Sequence, residues 1–429
     1  MPANDAAGPG TPHILISAFA CLPDRGSEPG VAWNWILTLA RHGQHTSVLT
    51  QIRNRAAITA WAAGPDGAAI RGITFHYVPF FGSRPIPFGT PGHYLYYYLW
   101  QIAALLYLLR TGAWRGATLI HHLTYGGINT GSLLFLLPRT FMFGPMGGGE
   151  TAPLRLVRQF GRKSLLIEMV RTTLIGIARI NPVLLLMQLR ARRILMKTPE
   201  SASCMILGGN RVVTTVEIGA PVANSVLATA ADSETRPCRI LFAGRLLYWK
   251  GAELLADALA QLDRPGVQVE VVVIGRGVRE RAVRERFGRL THIRADVRGA
   301  VPQPELFAAY RDADLFVFPS LHDSSGNVVL EAMTFGLPVI CLNLGGPPLL
   351  VGDTGVVVSA RDAGYALVVD RLATAIAALI ADPDALRARA SQAQSRAASF
   401  SWDAAVRNGY GPLLSWRQDG EPEKRPGAW

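Results

Sequence analysis

The stretch from Ala313 to Ile340 constrains the fold more than any other part of the sequence. It holds a β-type run that ends at Pro319, a turn of small residues, a helical run and a second β-type run. Strands that alternate with helices in this way are typical of an α/β domain with a parallel sheet. Ligands of such sheets bind where the strands end. The segment therefore predicts both a fold class and the position of a site.

The turn in this stretch carries two carboxylates eight positions apart, Asp323 and Glu331. Small residues follow the first acid and lead into the helix, so several backbone N–H groups lie unpaired at the helix N-terminus. Those amides and the helix dipole favour an anion. The second carboxylate can reach hydroxyl groups. The pattern predicts a sugar-nucleotide site, and the alternative is an ordinary helix N-cap at Asp323 or Ser324.

This pattern resembles the donor site of retaining GT-B fold glycosyltransferases of family 4. These enzymes carry an acid, a glycine-containing turn and a glutamate eight residues after the acid. The family usually has glutamate at both ends, whereas the first acid here is Asp323. The resemblance implies an α/β chain of two Rossmann-like, doubly wound domains that face a cleft, with a C-terminal helix that crosses back to the first domain. It also implies that neither a cofactor nor a metal is needed, so we reject a metal site at Asp312 and Asp314.

A second segment, RILFAGRLLYWKG, adds two cations to the predicted donor site. Arg245 and Lys250 follow a β-type run and precede a helix, and in the resembled family such cations face the same cleft as the Asp323 turn. They would neutralise a leaving diphosphate. The alternative is a pair of surface charges at a helix start, where the dipole disfavours cations. The predicted catalytic residues are His122, Arg245, Lys250 and Asp323. The predicted donor-binding residues are Gly244, Gly275, Ser324, Ser325, Gly326, Asn327 and Glu331.

The first half of the chain repeats the strand, glycine loop and helix pattern. The run His13–Phe19 is the predicted first strand, and a loop that ends at Gly30 follows it. The loop lacks the GxGxxG spacing of dinucleotide-binding domains. In the resembled family this loop lies near the diphosphate and the acceptor, and a simple turn is the alternative. The predicted acceptor-side residues are Gly26, Glu28, Gly30, His121, Gly148 and Glu150.

Two further segments contribute to that acceptor side. His121 and His122 lie at the end of a predicted strand, and only one can face the cleft because neighbouring strand residues point to opposite sides. We favour His122. The segment Phe141–Glu150 is a strand followed by three glycines. No Lys-Ser or Lys-Thr follows, which excludes a P-loop, and we interpret it as a mobile loop with Glu150 as an acceptor contact.

Charge is distributed unevenly along the chain. The net charge is +12, and all of the excess lies before residue 232. Residues 153–197 hold ten cations, the single acid Glu168, and leucines, isoleucines and methionines at helical intervals. Basic amphipathic helices of this kind are typical of proteins that lie on anionic membranes, and a solvated helix face is the alternative. No nucleic-acid-binding signature is present. The apolar run 94–109 is too short to span a bilayer and predicts a buried or interfacial helix.

We predict two domains, an acceptor-side domain of residues 1–231 with 402–429 packed against it, and a donor-binding domain of residues 236–401. The first eleven residues lack a secretory signal and are expected to be disordered. Four scattered cysteines indicate a reducing, cytoplasmic location. The implied reaction uses a UDP- or GDP-sugar and a lipid-linked glycan acceptor at the inner membrane face, as in exopolysaccharide or O-antigen synthesis. The alternatives are a sugar-nucleotide epimerase of the same fold and a non-catalytic nucleotide-sugar-binding protein.

Overall fold

The computed structural model describes residues 12–80, 91–129, 131–221 and 236–416. The N-terminal segment that we expected to be disordered lies outside these residues. Within the described part, the backbone forms two parallel sheets with helices on both faces. The predicted α/β fold with two doubly wound sheets is confirmed.

The first sheet has the strand order β3-β2-β1-β4-β5-β6-β7. Its strands are β1 (His13–Ala18), β2 (His45–Gln51), β3 (Ile73–Val78), β4 (Leu119–Thr124), β5 (Thr140–Met146), β6 (Ala191–Met196) and β7 (Val212–Thr214). Its helices are α1 (Ser27–Arg41), α2 (Arg55–Ala62), α3 (Pro91–Thr111), α4 (Leu154–Val157), α5 (Arg162–Ala178), α6 (Pro182–Arg190) and α7 (Pro199–Ala202). The strand order reverses between β1 and β4, where such sheets form a crevice.

The second sheet has the strand order β10-β9-β8-β11-β12-β13. Its strands are β8 (Cys238–Ala243), β9 (Val269–Ile274), β10 (Arg294–Arg298), β11 (Leu315–Phe318), β12 (Val339–Leu342) and β13 (Val356–Val358). The helices that follow are α8 (Ala252–Leu262), α9 (Glu280–Phe287), α10 (Gln303–Asp312), α11 (Asn327–Thr334), α12 (Pro347–Val351), α13 (Tyr365–Ala381), α14 (Pro383–Ala398) and α15 (Trp402–Tyr410). Here the order reverses between β8 and β11, the strands that precede the two predicted donor segments.

The central strands are apolar on both faces because helices cover both sides of each sheet. Ile14, Leu15 and Ile16 of β1 are fully buried, and so are most residues of β8 and β11. The β-branched run of β9 is buried between β8 and β10. Only the carboxyl ends of the strands are therefore left to hold polar groups.

The C-terminal helix returns to the first domain, as predicted. Helix α15 lies against α1, and the Tyr410 hydroxyl is 2.8 Å from Nδ1 of His121 on β4. Arg193 on β6 donates to the carbonyl oxygens of Gly409 at 2.7 Å and Asn408 at 2.9 Å. A Cβ at Gly409 would lie 2.5 Å from the Trp35 ring. Glycine at this position lets the returning helix approach α1 closely.

Helix α3 contains the apolar run 94–109. Its inner side is buried through Trp100, Ala104 and Leu108, while Leu99 and Leu106 on its outer side are exposed. No single described helix is long and apolar enough to cross a membrane. Helices α5 and α6 meet that requirement only as a pair, and they are bent by 50° at the break between them.

Candidate active site

The donor turn, residues 323–326, leads into α11. Its last residue, Gly326, has φ 70° and ψ 35°, a left-handed conformation that favours glycine. The Asp323 carboxylate accepts hydrogen bonds from the N–H groups of Ser325 at 3.3 Å and Gly326 at 3.1 Å. No side chain caps α11 itself, so the N-cap alternative for Asp323 and Ser324 is wrong.

The first amides of α11 are available to a ligand. Within the described residues, the N–H groups of Asn327 and Val328 have no hydrogen-bond partner, whereas those of Val329 and Leu330 bond to the Gly326 carbonyl oxygen. Two adjacent unpaired amides at a helix N-terminus form a site for an anion. The structure thus places free donors where the sequence predicted them.

Lys250 and Asp323 form a salt bridge between the two predicted donor segments. Their side chains are 16% and 14% exposed, and the Lys250 ammonium also lies 5.3 Å from the centroid of the Phe318 ring. Burial alone would raise the pKa of Asp323, but Lys250 and the turn amides lower it below its usual value. The carboxylate is therefore ionised at neutral pH and holds the ammonium beside the turn.

Arg245 is exposed at the end of β8, and its guanidinium forms no hydrogen bond or ion pair among the described residues. The preceding Gly244 lies next to Gly275 at the end of β9. A Cβ at Gly275 would lie 1.8 Å from the Gly244 carbonyl oxygen, so a larger residue cannot occupy this position. The two strand ends approach closely here, and neither glycine places a side chain at this edge of the sheet. Arg245 is thus an uncompensated cation at the same edge as the donor turn.

Glu331 lies on α11 and is partly exposed. The Tyr310 hydroxyl donates a hydrogen bond to its Oε2 at 3.1 Å. Burial raises the pKa of Glu331, and the Tyr310 hydrogen bond only partly opposes this. One carboxylate oxygen is left without a protein donor among the described residues. The side chain can therefore accept a hydrogen bond from a hydroxyl.

The first domain contacts the donor turn through its two serines. Ser324 donates to Glu150 Oε2 at 2.7 Å, and Ser325 donates to the Glu217 carboxylate. Lys197 lies 3.4 Å from Ser325 Oγ and 3.1 Å from Glu217 Oε1. Sequence reasoning missed Lys197 and Glu217 as site residues. Both lie just past the carboxyl ends of β6 and β7, which is the signal that identified His121 and His122.

Three acids surround Lys197. Burial alone would lower its pKa, but Glu217, Glu28 and Glu150 raise it above its usual value. Two predicted acceptor-side residues, Glu28 and Glu150, therefore lie close to the donor turn. Burial would also raise the pKa of Glu150, and hydrogen bonds from Thr198, Ser201 and Ser324 lower it. All of these carboxylates act together to keep one buried cation charged.

Glu150 is only 2% exposed. It accepts hydrogen bonds from the Gly148 N–H at 2.8 Å, Thr198 Oγ1 at 2.6 Å and Ser201 Oγ at 2.7 Å, besides the one from Ser324. Protein groups thus occupy both oxygens, and in this arrangement Glu150 positions the donor turn. Its role as an acceptor contact stays a prediction.

The glycine loop after β1 is shorter than predicted. Helix α1 begins at Ser27, with Gly26 as its N-cap, so Glu28 and Gly30 lie in its first turn. A Cβ at Gly30 would lie 1.8 Å from the Arg25 carbonyl oxygen, which explains a glycine inside a helix. The Glu28 carboxylate accepts a hydrogen bond from the Gly126 N–H. Glu28 therefore joins the ends of β1 and β4.

The two histidines on β4 are fully buried and face opposite sides of the sheet. His121 is bonded at both nitrogens, to the Tyr410 hydroxyl and, at 2.7 Å, to the Gly144 carbonyl oxygen. His122 Nε2 lies 3.3 Å from the Tyr97 hydroxyl. Burial lowers the pKa of His121 to about 3 and that of His122 to about 4. Neither contacts the donor turn within the described residues, and the preference for His122 stays a prediction.

The Asp312 and Asp314 pair lies away from the donor turn. Asp314 accepts two hydrogen bonds from the Arg236 guanidinium, both at 2.7 Å, and one from the Arg239 N–H at 2.8 Å. These contacts give Asp314 a structural role. Among the described residues no group of three or more His, Cys, Asp or Glu could hold a metal ion. Independence of metal stays a prediction.

Comparison with known proteins places the donor segments in a recognised domain. Residues 237–382 match the family model described as "Glycosyl transferases group 1". A D-inositol 3-phosphate glycosyltransferase of Segniliparus rotundus is 34% identical over 187 residues, which cover 42% of this chain and 39% of that protein. The chain therefore spans well under half the length of this relative. The matched family model covers Arg245, Lys250 and the whole donor turn.

Solved structures match over nearly the whole chain. The sucrose-phosphate synthase of Thermosynechococcus elongatus has a TM-score of 0.61 at 19% identity and covers 92% of this chain and 97% of its own. The Anabaena protein HepE in complex with UDP-glucose has a TM-score of 0.55 at 18% identity. The match covers 94% of this chain and 99% of HepE. Residues 237–382 thus match a glycosyl transferases group 1 domain, and the chain as a whole has the GT-B fold.

Proposed function

We propose that this chain is a retaining glycosyltransferase of family 4. It transfers a sugar from a UDP- or GDP-sugar to a hydroxyl group of a lipid-linked glycan acceptor. The observation that carries the proposal is the pair of unpaired amides at Asn327 and Val328, beside the uncompensated cation Arg245. The matched domain includes all three residues, and a structural neighbour was solved with UDP-glucose.

The donor diphosphate is held by charge and by fixed amides. The α11 amides and Arg245 bind its oxygens, and Lys250 extends the positive charge from the Asp323 salt bridge. These groups stabilise the negative charge that develops on the leaving diphosphate, which is where preorganised donors accelerate a reaction most. The free oxygen of Glu331 accepts from a ribose hydroxyl, and Asp323 accepts from the sugar. No divalent ion takes part.

The transfer breaks the bond between the sugar carbon and the phosphate oxygen. The acceptor oxygen bonds to that carbon on the same face, and its proton passes to the departing phosphate. No protein carboxylate acts as a nucleophile. The configuration at the sugar carbon is therefore retained.

The acceptor is lipid-linked because the first domain exposes a broad apolar surface. This apolar face consists of the exposed large side chains of α3, α5, α6 and the segment between the last two. Its members are Leu95, Leu99, Ile102, Leu106, Leu109, Leu166, Ile167, Met169, Val170, Leu174, Ile177, Ile180, Val183, Leu186 and Leu189. A surface of this extent marks an interaction site. With the cations of residues 153–197 it fits the anionic inner face of the cytoplasmic membrane, where surface polysaccharide is assembled.

A thermal-shift panel of UDP-, GDP-, ADP- and dTDP-sugars tests the donor site. The correct donor raises the melting temperature, since a ligand that binds only the folded state stabilises it.

Arg245→Ala lowers kcat/KM by about a hundredfold. Arg264→Ala is the matched control, because Arg264 is also exposed but lies after α8, beyond the opposite edge of the sheet. Equal loss in both variants, or no donor bound by the parent, would contradict the proposal.

Acceptor-free turnover separates the proposal from a sugar-nucleotide epimerase. A transferase consumes the donor only when a hydroxyl acceptor is present, apart from slow hydrolysis. A labelled donor incubated with and without a membrane lipid extract shows the difference. Epimerised donor in the absence of lipid would replace the proposed transfer with epimerisation.

A further inference from the structure

Glu168 is a buried acid on α5 whose function the donor chemistry does not explain. Its side chain is 0% exposed although its helix neighbours Ile167 and Met169 are exposed. The carboxylate accepts hydrogen bonds from the Ala152 N–H at 2.9 Å and from the Tyr248 hydroxyl at 2.8 Å. Its Oε2 also lies 3.3 Å from Nε2 of His322. An ionised group is buried in this way only when its surroundings compensate its charge.

The two side-chain partners of Glu168 belong to the second domain and flank the salt bridge of the donor site. Tyr248 begins the 3-10 turn Tyr248–Lys250, which ends at Lys250. His322 immediately precedes Asp323. One carboxylate of the first domain therefore contacts both segments that carry the Lys250–Asp323 pair. The ring of His322 also stacks on Trp249, with centroids 5.1 Å apart, which ties the two segments to each other.

We propose that Glu168 is a positioning residue of the donor site, which sets the spacing of Lys250 and Asp323 through Tyr248 and His322. The first domain thus completes a donor site whose binding groups all lie in the second. The consequence for catalysis rests on the proposed function. The positioning itself does not, because it concerns the order of two chain segments without any ligand.

The charge of Glu168 persists over the pH range in which a protein is handled. Burial alone would raise its pKa, but His322, the Ala152 N–H and Tyr248 lower it to about 2. Burial and Arg171 lower the pKa of His322, and Glu168 and Glu150 oppose this. The carboxylate is thus ionised and the imidazole neutral at pH 7. Glu168→Gln removes this charge while it keeps the size of the side chain.

The position of Glu168 on α5 links two surfaces. The outer side of this helix contributes Leu166, Val170 and Leu174 to the apolar face, and its inner side holds the donor segments. A helix is stiff along its length, so the same element joins the proposed membrane surface to the donor site. Glu200 provides a contrast, since it forms an interdomain ion pair with Arg361 but contacts neither donor segment.

Hydrogen–deuterium exchange of the full chain without ligand tests the positioning. In Glu168→Gln, peptides that cover residues 245–252 and 320–327 exchange about tenfold faster, the size expected when one hydrogen bond to a charged group is lost. In the control Glu200→Gln the same peptides exchange at the parent rate. Unchanged exchange in Glu168→Gln overturns the proposal, whether or not the chain is a transferase. Tyr248→Phe is the second variant, and it gives the same increase if Glu168→Gln does not fold.

Kinetics with the donor identified by the thermal-shift panel provide the functional readout. Glu168→Gln and Tyr248→Phe each raise the donor KM by about tenfold, and the double variant is no worse than either, because both break the same link. The acceptor KM stays at the parent value. Additive losses, or a fall in kcat alone, would assign Glu168 a merely structural role. A parent protein that binds no donor would refute the proposed function and leave the exchange result to decide the positioning.

Discussion

The two domains share one architecture but differ in their surfaces. All but three of the exposed large hydrophobic side chains in the described part of the chain lie in the first domain, and the three exceptions are Val278, Val357 and Leu367. The excess positive charge also lies before residue 232. A doubly wound sheet does not require either property. These surfaces fit the proposed apolar and anionic partner of the first domain and the proposed small ligand of the second.

The two domains also differ in how their cationic side chains are paired with acids. In the second domain Arg279 pairs with Glu253, and Arg286 pairs with Asp257 and Glu253. Of the ten cations in residues 153–197, Lys197 is the one that forms an ion pair within the described residues. Positive charge is thus neutralised locally in the donor-binding domain and left unbalanced next to the apolar face. Arg245 is one of several second-domain arginines that form no ion pair within the described residues, and it lies at the donor site.

The largest effect is expected at the Lys250–Asp323 salt bridge of the second domain. Lys250→Ala lowers kcat by about a thousandfold, since a cation at the leaving group is lost. It also leaves the buried Asp323 carboxylate without its cation, which costs about 3 kcal/mol of unfolding free energy. The double variant Lys250→Ala/Asp323→Asn recovers the stability but not the activity. Steady-state assays and urea unfolding measure the two effects, and full activity in either variant would remove Lys250 from the mechanism.

The next effect tests the apolar face of the first domain. Replacement of Leu166, Leu174, Ile180 and Leu186 by serine lowers binding to anionic vesicles by at least about a hundredfold, because each large apolar side chain contributes on the order of 1 kcal/mol or more when buried. Val278→Ser/Leu367→Ser in the second domain is the control and binds as the parent does. Sedimentation with phosphatidylglycerol vesicles at low and high salt gives the measurement. A parent protein that stays in the supernatant at both salt concentrations has no membrane partner of this kind.

The sequence predicted most strands of both sheets and the donor turn because these depend on local patterns. It was wrong for β6, since Ala191–Met196 belongs to the segment 153–197 that the charge pattern assigned to basic helices, and it did not predict β13. Strand β7 is short and spans only Val212–Thr214. It is an edge strand with partly exposed residues, so burial imposes little pattern on it. The network of Glu168, Tyr248 and His322 joins residues far apart in sequence. No local sequence pattern reveals such contacts. From the sequence, a single acid in a basic helix, such as Glu168, is expected to be exposed to solvent, whereas the structure shows that it is buried.

As the pH is lowered, the free energy of unfolding is expected to fall at a higher pH in the first domain than in the second. The folded pKa values of His121 and His122 are about 3 and about 4, below the value of 6.5 for an exposed histidine. Between these values the unfolded chain binds more protons than the folded chain, so stability is complete above pH 6.5 and falls as the pH decreases. Each histidine contributes a slope of up to about 1.4 kcal/mol per pH unit. Hydrogen–deuterium exchange at pH 7 and pH 5 compares the domains, and faster opening of β8 and β9 than of β1 and β4 would contradict this order.

The smallest effect is expected for the surface ion pairs of the second domain. Arg284 and Glu280 pair at 2.9 Å on α9, with 48% and 31% of their side chains exposed. Because solvent screens such pairs, Arg284→Ala changes the unfolding free energy by less than about 0.5 kcal/mol. Urea unfolding of Arg284→Ala and Glu280→Ala measures the change. A cost above about 1 kcal/mol would mean that local ion pairing holds the donor-binding domain together, and the contrast with the unbalanced first domain would then concern stability as well as partners.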